Sequence, residues 1–156
     1  MTSIVLGRDD GLRLQSGPGR DLVFKVTGNE TGDAFEYSIL DVAPHGGPPL
    51  HVHHRHAEAI HVLAGRYKIR IGEDGEEAFT CDEGGFAYMP AGIPHAFLNL
   101  TDEPGRVVIL YSPGGAHGFF EEYGPLARDG VTDRVTLAAV FERHEMTLLG
   151  PPLTAD

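Results

Sequence analysis

The stretch His51-Val52-His53-His54-Arg55-His56-Ala57-Glu58 decides the reading of this chain. In an extended strand, side chains two residues apart leave the same face. His51 and His53 therefore project side by side, about the span of two ligands on one ion. Glu58 lies five residues after His53, the wrong parity for one unbroken strand. A turn or bulge through 54–57 lets Glu58 return on the next strand, facing the same way. A second stretch contains Pro90-Ala91-Gly92-Ile93-Pro94, followed at once by His95. Pro and Gly at that density mark a turn. A strand starting at His95 aims His95, Phe97 and Asn99 to one face. His51, His53, Glu58 and His95 can thus converge on one metal ion. Three neutral imidazoles and one anionic oxygen suit a divalent transition metal: Fe(II), Mn, Ni, Cu, Co or Zn.

The rest of the chain fits a β scaffold around that site. At 156 residues, 41% of them apolar, it has the size of one domain with its own core. Its 21 Gly and 11 Pro favour short strands joined by tight turns over a helical bundle. Extended segments recur at Leu22–Thr27, Phe35–Leu40, Leu50–His54, Ala59–Leu63, Arg66–Ile71, Glu77–Cys81, Gly85–Met89, His95–Leu100 and Val107–Ser112. Gly72-Glu73-Asp74-Gly75 reads as a hairpin turn. Eight or more strands without a βαβ pattern imply an antiparallel barrel or sandwich. After Pro113-Gly114-Gly115 the texture turns helical, at 119–123 and 133–144. Thr132 or Asp133 is the N-cap of the second helix, and Val135, Ala138, Ala139 and Phe141 are its apolar stripe. Both helices are expected on the outside of the barrel.

Charge and cysteine use exclude several classes. Twelve Lys and Arg against 23 Asp and Glu leave a formal charge of −11. Nucleic acid is therefore not an expected partner, since phosphate binding needs a basic surface. Cys81 is the only cysteine, so no disulfide within the chain is possible, and no neighbouring base marks it as a nucleophile. No apolar run approaches a membrane span, and residues 1–10 lack the features of a secretory signal. The expectation is a cytoplasmic protein with no membrane partner.

Two motifs, His51-x-His53-x4-Glu58-x6-Gly65 and Gly84-x5-Pro90-x-Gly92-x2-His95-x3-Asn99, resemble the paired signature of the cupin superfamily. The second motif matches in full. The first departs at its opening, where His45 stands in place of an expected glycine and Gly46 and Gly47 follow. The motifs cover about a third of the chain, with 18 residues between Gly65 and Gly84. The flanks Gly47-Pro48-Pro49-Leu50, Tyr111-Ser112-Pro113-Gly114-Gly115, Phe119-Phe120 and Gly150-Pro151-Pro152-Leu153 resemble small quercetin dioxygenase-like cupins. The resemblance implies an all-β double-stranded β-helix (jelly-roll) barrel with short C-terminal helices. It places one cupin domain over 1–156, with a barrel core at about 20–113 and an extension at about 114–156. It also implies one divalent metal at the barrel mouth, Fe(II) being favoured, and a homodimer.

On this reading His51, His53, Glu58 and His95 bind the metal, and Glu58 is also the catalytic base toward a small-molecule substrate. Phe35, Tyr37, Ile39, Ile60, Val62, Tyr67, Ile69, Phe86, Tyr88 and Phe97 are expected to line the barrel interior. Tyr37, Tyr67, Tyr88 and Phe97 are the expected substrate-binding residues, and Tyr111 offers a further hydroxyl. His54 has the wrong parity to join His53, His56 reads as exposed and His61 as outward-facing. His45 and His117 are secondary candidates for the pocket mouth, and Asn99 reads as structural. The expected activity is that of a metal-dependent dioxygenase on a small phenolic or enolisable compound. The same site could serve a non-redox cyclase, isomerase, decarboxylase or dehydratase. A barrel that only binds a ligand is disfavoured, because simple binding does not require an open metal position. Fold alone does not choose among these.

Overall fold

A computed structural model describes residues 2–17, 20–72 and 77–156. Among them, eleven strands form two antiparallel sheets. The strands are β1 (Leu12–Gly17), β2 (Arg20–Val26), β3 (Glu36–Val42), β4 (Pro49–His53), β5 (Ala57–Ala64), β6 (Tyr67–Ile71), β7 (Glu77–Cys81), β8 (Phe86–Met89), β9 (His95–Asn99), β10 (Gly105–Ser112) and β11 (Met146–Pro152). A one-turn helix α1 (Gly28–Thr31) follows β2, and α2 (His117–Arg128) and α3 (Arg134–Arg143) separate β10 from β11. The six-stranded sheet runs β1-β2-β3-β10-β5-β8, and the five-stranded sheet runs β11-β4-β9-β6-β7. The two inner faces enclose a core that includes Leu22, Phe24, Ile60, Val62, Ile69 and Val107, all nearly inaccessible to water. This is the double-stranded β-helix expected from the sequence.

Strand β4 lies between β11 and β9, and this position fixes the site. His51 pairs with His95 across β4 and β9. On the other side Met146 pairs with His53, and Leu148 with His51. The chain bends through His54–His56 and enters β5, which belongs to the opposite sheet. Glu58 therefore faces the histidines across the barrel interior. The parity break between His53 and Glu58 is a change of sheet.

The structure corrects several expectations. In β3 the inward residues are Glu36, Ser38, Leu40 and Val42, while Tyr37 and Ile39 are half-buried on the outer face and Phe35 is exposed. The apolar alternation misleads there because the inner face opens with two polar residues. Both are satisfied: Ser38 Oγ donates to the Ile109 carbonyl at 3.0 Å, and Glu36 caps backbone amides. In β8, Met89 points in, and Phe86 and Tyr88 are 65% and 57% exposed. β8 is an edge strand whose outer face is uncovered. His56, expected in water, is 5% exposed, and its Nδ1 lies 2.7 Å from the Pro113 carbonyl. The barrel begins before residue 20, since β1 starts at Leu12. The hairpin turn expected at Gly72–Gly75 falls on 73–75, outside the described residues.

The helices close the barrel mouth instead of decorating its exterior. Asp133 caps α3, accepting from Thr136 N at 2.9 Å. Its buried stripe is Val140 and Phe141, with Leu137 half-buried one turn earlier, while Val135 is 78% exposed. Phe119, Val140, Phe141 and Met146 form a small second core beneath the helices.

Glu36, which no motif marked, ties this lid to the barrel. Its carboxylate is 0% exposed. It accepts from Gly28 N (2.8 Å), His117 N (2.9 Å) and His117 Nδ1 (2.5 Å). Burial pushes its pKa up, but these bonds and one from Gly115 N outweigh burial and hold it below the usual carboxylate range. A depressed folded-state pKa contributes stability that is complete above the unfolded carboxyl value, about 4.3. That stability is lost as pH falls through the lower folded value. Glu36→Gln is expected to cost about 1.5–3 kcal/mol at pH 7, the worth of hydrogen bonds to a charged group. In urea melts the gap between wild type and Glu36→Gln should shrink as pH drops below about 4.3; a pH-independent gap contradicts this role.

Candidate metal centre

Each ligand side chain is placed by its strand and turned by its backbone. His51 Nδ1 lies 2.7 Å from the Pro49 carbonyl, and His95 Nδ1 lies 2.9 Å from the Ile93 carbonyl. A carbonyl only accepts, so both Nδ1 atoms carry hydrogen and both Nε2 atoms point inward. Pro49 and Ile93 each sit two residues before their histidine, so the backbone leading into each histidine also orients its ring. His53 differs: its Nδ1 is buried with no partner among the described residues.

The inward atoms meet closely. His51 Nε2 and His53 Nε2 are 3.1 Å apart, and Glu58 Oε2 lies 3.0 Å from Nε2 of both His53 and His95. One ligand atom from each of the four residues lies within 4.8 Å of all the others. All four side chains are buried, none more than 6% exposed.

Four buried polar groups around one point are unfavourable unless their charges balance. Burial drives the His51 pKa well below its ordinary value, and positive charge on His95 and His53 drives it further. Burial would raise Glu58, yet the charge on His95 and the bonds from His53 and His95 outweigh it and hold Glu58 well below the carboxylate range. Burial would lower His95, but Glu58 outweighs burial and raises it. Glu58 and His95 thus each favour the charged form of the other. The donor set of three Nε2 atoms and one carboxylate oxygen suits one metal ion.

The centre forms the floor of a cavity of about 390 Å³. His51, His53 and Glu58 line it, with Phe97, Tyr111, Phe119, Phe120 and Phe141 among its walls. Such a cavity, apolar with a few convergent polar groups, is the usual form of a small-molecule site.

Of the substrate-binding residues expected from sequence, the structure brings Phe97 to this cavity. Tyr37 and Tyr88 lie on the outer face of the six-stranded sheet. Tyr67 is buried at the Gly65–Gly105 end, where its hydroxyl donates to the Ala64 carbonyl at 3.2 Å. Tyr111 takes the place expected of them. It sits opposite Glu58 across β10 and β5, and its ring centroid is 5.7 Å from that of His53. Burial, then the charges of Glu58 and Glu36, pushes its pKa well up, so the hydroxyl stays protonated.

The other histidines stand apart. His54 bonds Thr147 at 2.8 Å, His45 pairs with Asp102 at 2.7 Å, His61 is exposed, and His117 serves Glu36. Asn99 pins its loop, donating to the Glu103 carbonyl at 2.9 Å and accepting from Thr101 N at 3.0 Å. The walls from α2, α3 and β11 were not marked as site residues by the sequence; the one available signal was the aromatic run Phe119-Phe120.

Comparison with known proteins agrees with this geometry. A family profile described as "Cupin domain" matches residues 38–111, which contain both motifs. The chain is 31% identical over 135 residues to the quercetin 2,3-dioxygenase of Bacillus subtilis (strain 168), covering 77% of this chain and 39% of that protein. It thus spans about two-fifths of the length of that relative. Among solved structures, an RmlC-like cupin from Shewanella frigidimarina NCIMB 400 matches with a TM-score of 0.62 and 14% identity, over 75% of this chain and 96% of the other. The polyketide cyclase RemF from Streptomyces resistomycificus matches with a TM-score of 0.59 and 21% identity, over 70% and 79%. At these identities the two structures bear on the fold alone.

Proposed function

The chain belongs to the cupin superfamily, and from its buried donor set we propose a metal-dependent oxidoreductase of the dioxygenase type. Its substrate is a small phenolic or enolisable compound, and its metal is Fe(II) in preference to Mn, Ni, Cu, Co or Zn. The observation that carries the reading is that three of the four donor residues open onto an apolar cavity. The name of the Bacillus subtilis relative supports the dioxygenase class and an aromatic hydroxyl substrate.

A divalent metal held by His51, His53, Glu58 and His95 would supply Lewis acidity and redox chemistry at the cavity floor. The chain's own residues do the rest. Phe97, Phe119, Phe120 and Phe141 exclude water from the floor and hold an aromatic ring by contact. Glu58 accepts the substrate's hydroxyl proton. Tyr111, held protonated, donates a hydrogen bond to the resulting oxyanion. A homodimer through the outer face of the six-stranded sheet, where Phe86 and Tyr88 are exposed, belongs to the same proposal.

The test is oxygen consumption by protein loaded separately with Fe(II), Mn(II) and Ni(II), against a panel of flavonols and catechols. Substrate-dependent O2 uptake, absent in metal-free protein, is the expected result. Substrate conversion without O2 uptake would overturn the oxidoreductase reading in favour of Lewis-acid chemistry at the same four residues.

A further inference from the structure

The cavity's floor and rim differ in charge. On the floor, the Nε2 atoms of His51 and His53 and the carboxylate of Glu58 face one another. On the rim stand Arg20, half-buried, and Arg134, exposed. Neither guanidinium makes a hydrogen bond or ion pair with any described residue. The carboxylates around them are already engaged. Asp41, also on the rim, pairs with Arg106 at 2.8 Å. Asp21 pairs with Arg13 at 2.7 Å, and Asp133 caps α3 through Thr136.

Arg134 occupies a place that general stability does not favour. Arg134 lies in the first turn of α3, where the helix dipole disfavours a cation. The guanidinium of Arg20 lies against Gly17, and a Cβ at that position would overlap it. The hydroxyl-bearing residues Ser16, Tyr123 and Thr132 line the same rim, and Arg20 is close enough to Tyr123 to act on its hydroxyl. In a chain of net charge −11, two guanidiniums without an ion-pair partner among the described residues line the same cavity as three hydroxyl-bearing residues.

We propose that Arg20 and Arg134 bind an anionic group on the substrate, so that the substrate is an amphipathic molecule. Its apolar or aromatic end reaches the metal centre, and its other end carries a carboxylate or phosphate held at the rim. This rests on the reading of the cavity as the substrate site, and it narrows the substrate class to phenolic or enolisable acids. Arg20 and Arg134 are specificity-determining residues that take no part in the bond changes.

The experiment compares 2-naphthoate with its neutral isostere 2-naphthamide, by calorimetric titration of metal-free and Zn(II)-loaded protein. The expected result is naphthoate binding about tenfold tighter in both forms, as a charge-assisted bond would give. Arg20→Gln/Arg134→Gln should abolish the preference and leave naphthamide affinity unchanged, and Arg20→Lys/Arg134→Lys should restore part of it. Equal binding of the two probes, no binding of naphthoate, or a preference that survives the double Gln variant overturns the proposal. A preference that depends on Zn(II) and not on the arginines places the carboxylate on the metal, which refutes the rim site and leaves the metal reading intact. A preference that depends on the arginines in a protein that takes up no metal upholds the rim site and refutes the metal reading.

Discussion

Each of His51→Ala, His53→Ala and His95→Ala is expected to abolish stoichiometric metal binding. Outer-shell changes typically cost about 10–100-fold in affinity. Removing one of four direct donors should cost more, taking occupancy from about one ion per chain to a small fraction after dialysis against a weak chelator. His53 is the most sensitive test of mechanism, because its ring is fixed by no backbone carbonyl and its Nδ1 has no partner among the described residues. His54→Ala and His61→Ala are the matched controls. Both residues are exposed and aim away from the cavity, so metal content should not change. Equal loss in controls and targets would mean adventitious binding by a histidine-rich chain.

Glu58→Gln should have the second large effect, and it separates two roles. The substitution keeps the shape of the side chain while removing its charge and its basicity. As a ligand, Glu58 neutralises part of the ion's charge in a water-poor site, so metal affinity should drop at least tenfold. As a base, it should carry about 10²–10⁴-fold of the rate, and this loss persists when metal is saturating. Turnover measured at saturating metal isolates the second effect from the first. Unchanged turnover there would remove Glu58 from proton transfer and leave it a ligand only.

The fold and the four donors were legible because each rests on a short-range rule. The i, i+2 spacing of His51 and His53 fixes a shared face whatever the partner strand, and Pro90–Pro94 fixes where His95 begins. Glu58 was legible through its parity break, although its placement on the opposite sheet was not, since which strands pair is a long-range matter. The substrate tyrosines were misread for the same reason. Tyr37 and Tyr88 have the right chemistry on the wrong face, and only the pairing of β3 and β8 with β10 and β5 decides which face turns inward. A buried glutamate at Glu36 inverted the pattern in β3, because helix caps satisfied its charge and the strand could bury it. The cavity walls from α2, α3 and β11 depend on how these elements pack over the strands that carry the donors, and composition carries no trace of that contact.

The central question is whether one metal ion sits among these four side chains. Anomalous diffraction at the metal's absorption edge, on crystals of the metal-loaded protein, answers it directly. The expected result is a single peak per chain, about 2.0–2.2 Å from Nε2 of His51, His53 and His95 and from an oxygen of Glu58. A peak at His54, His61 or another exposed histidine, with none at this centre, would contradict the assignment.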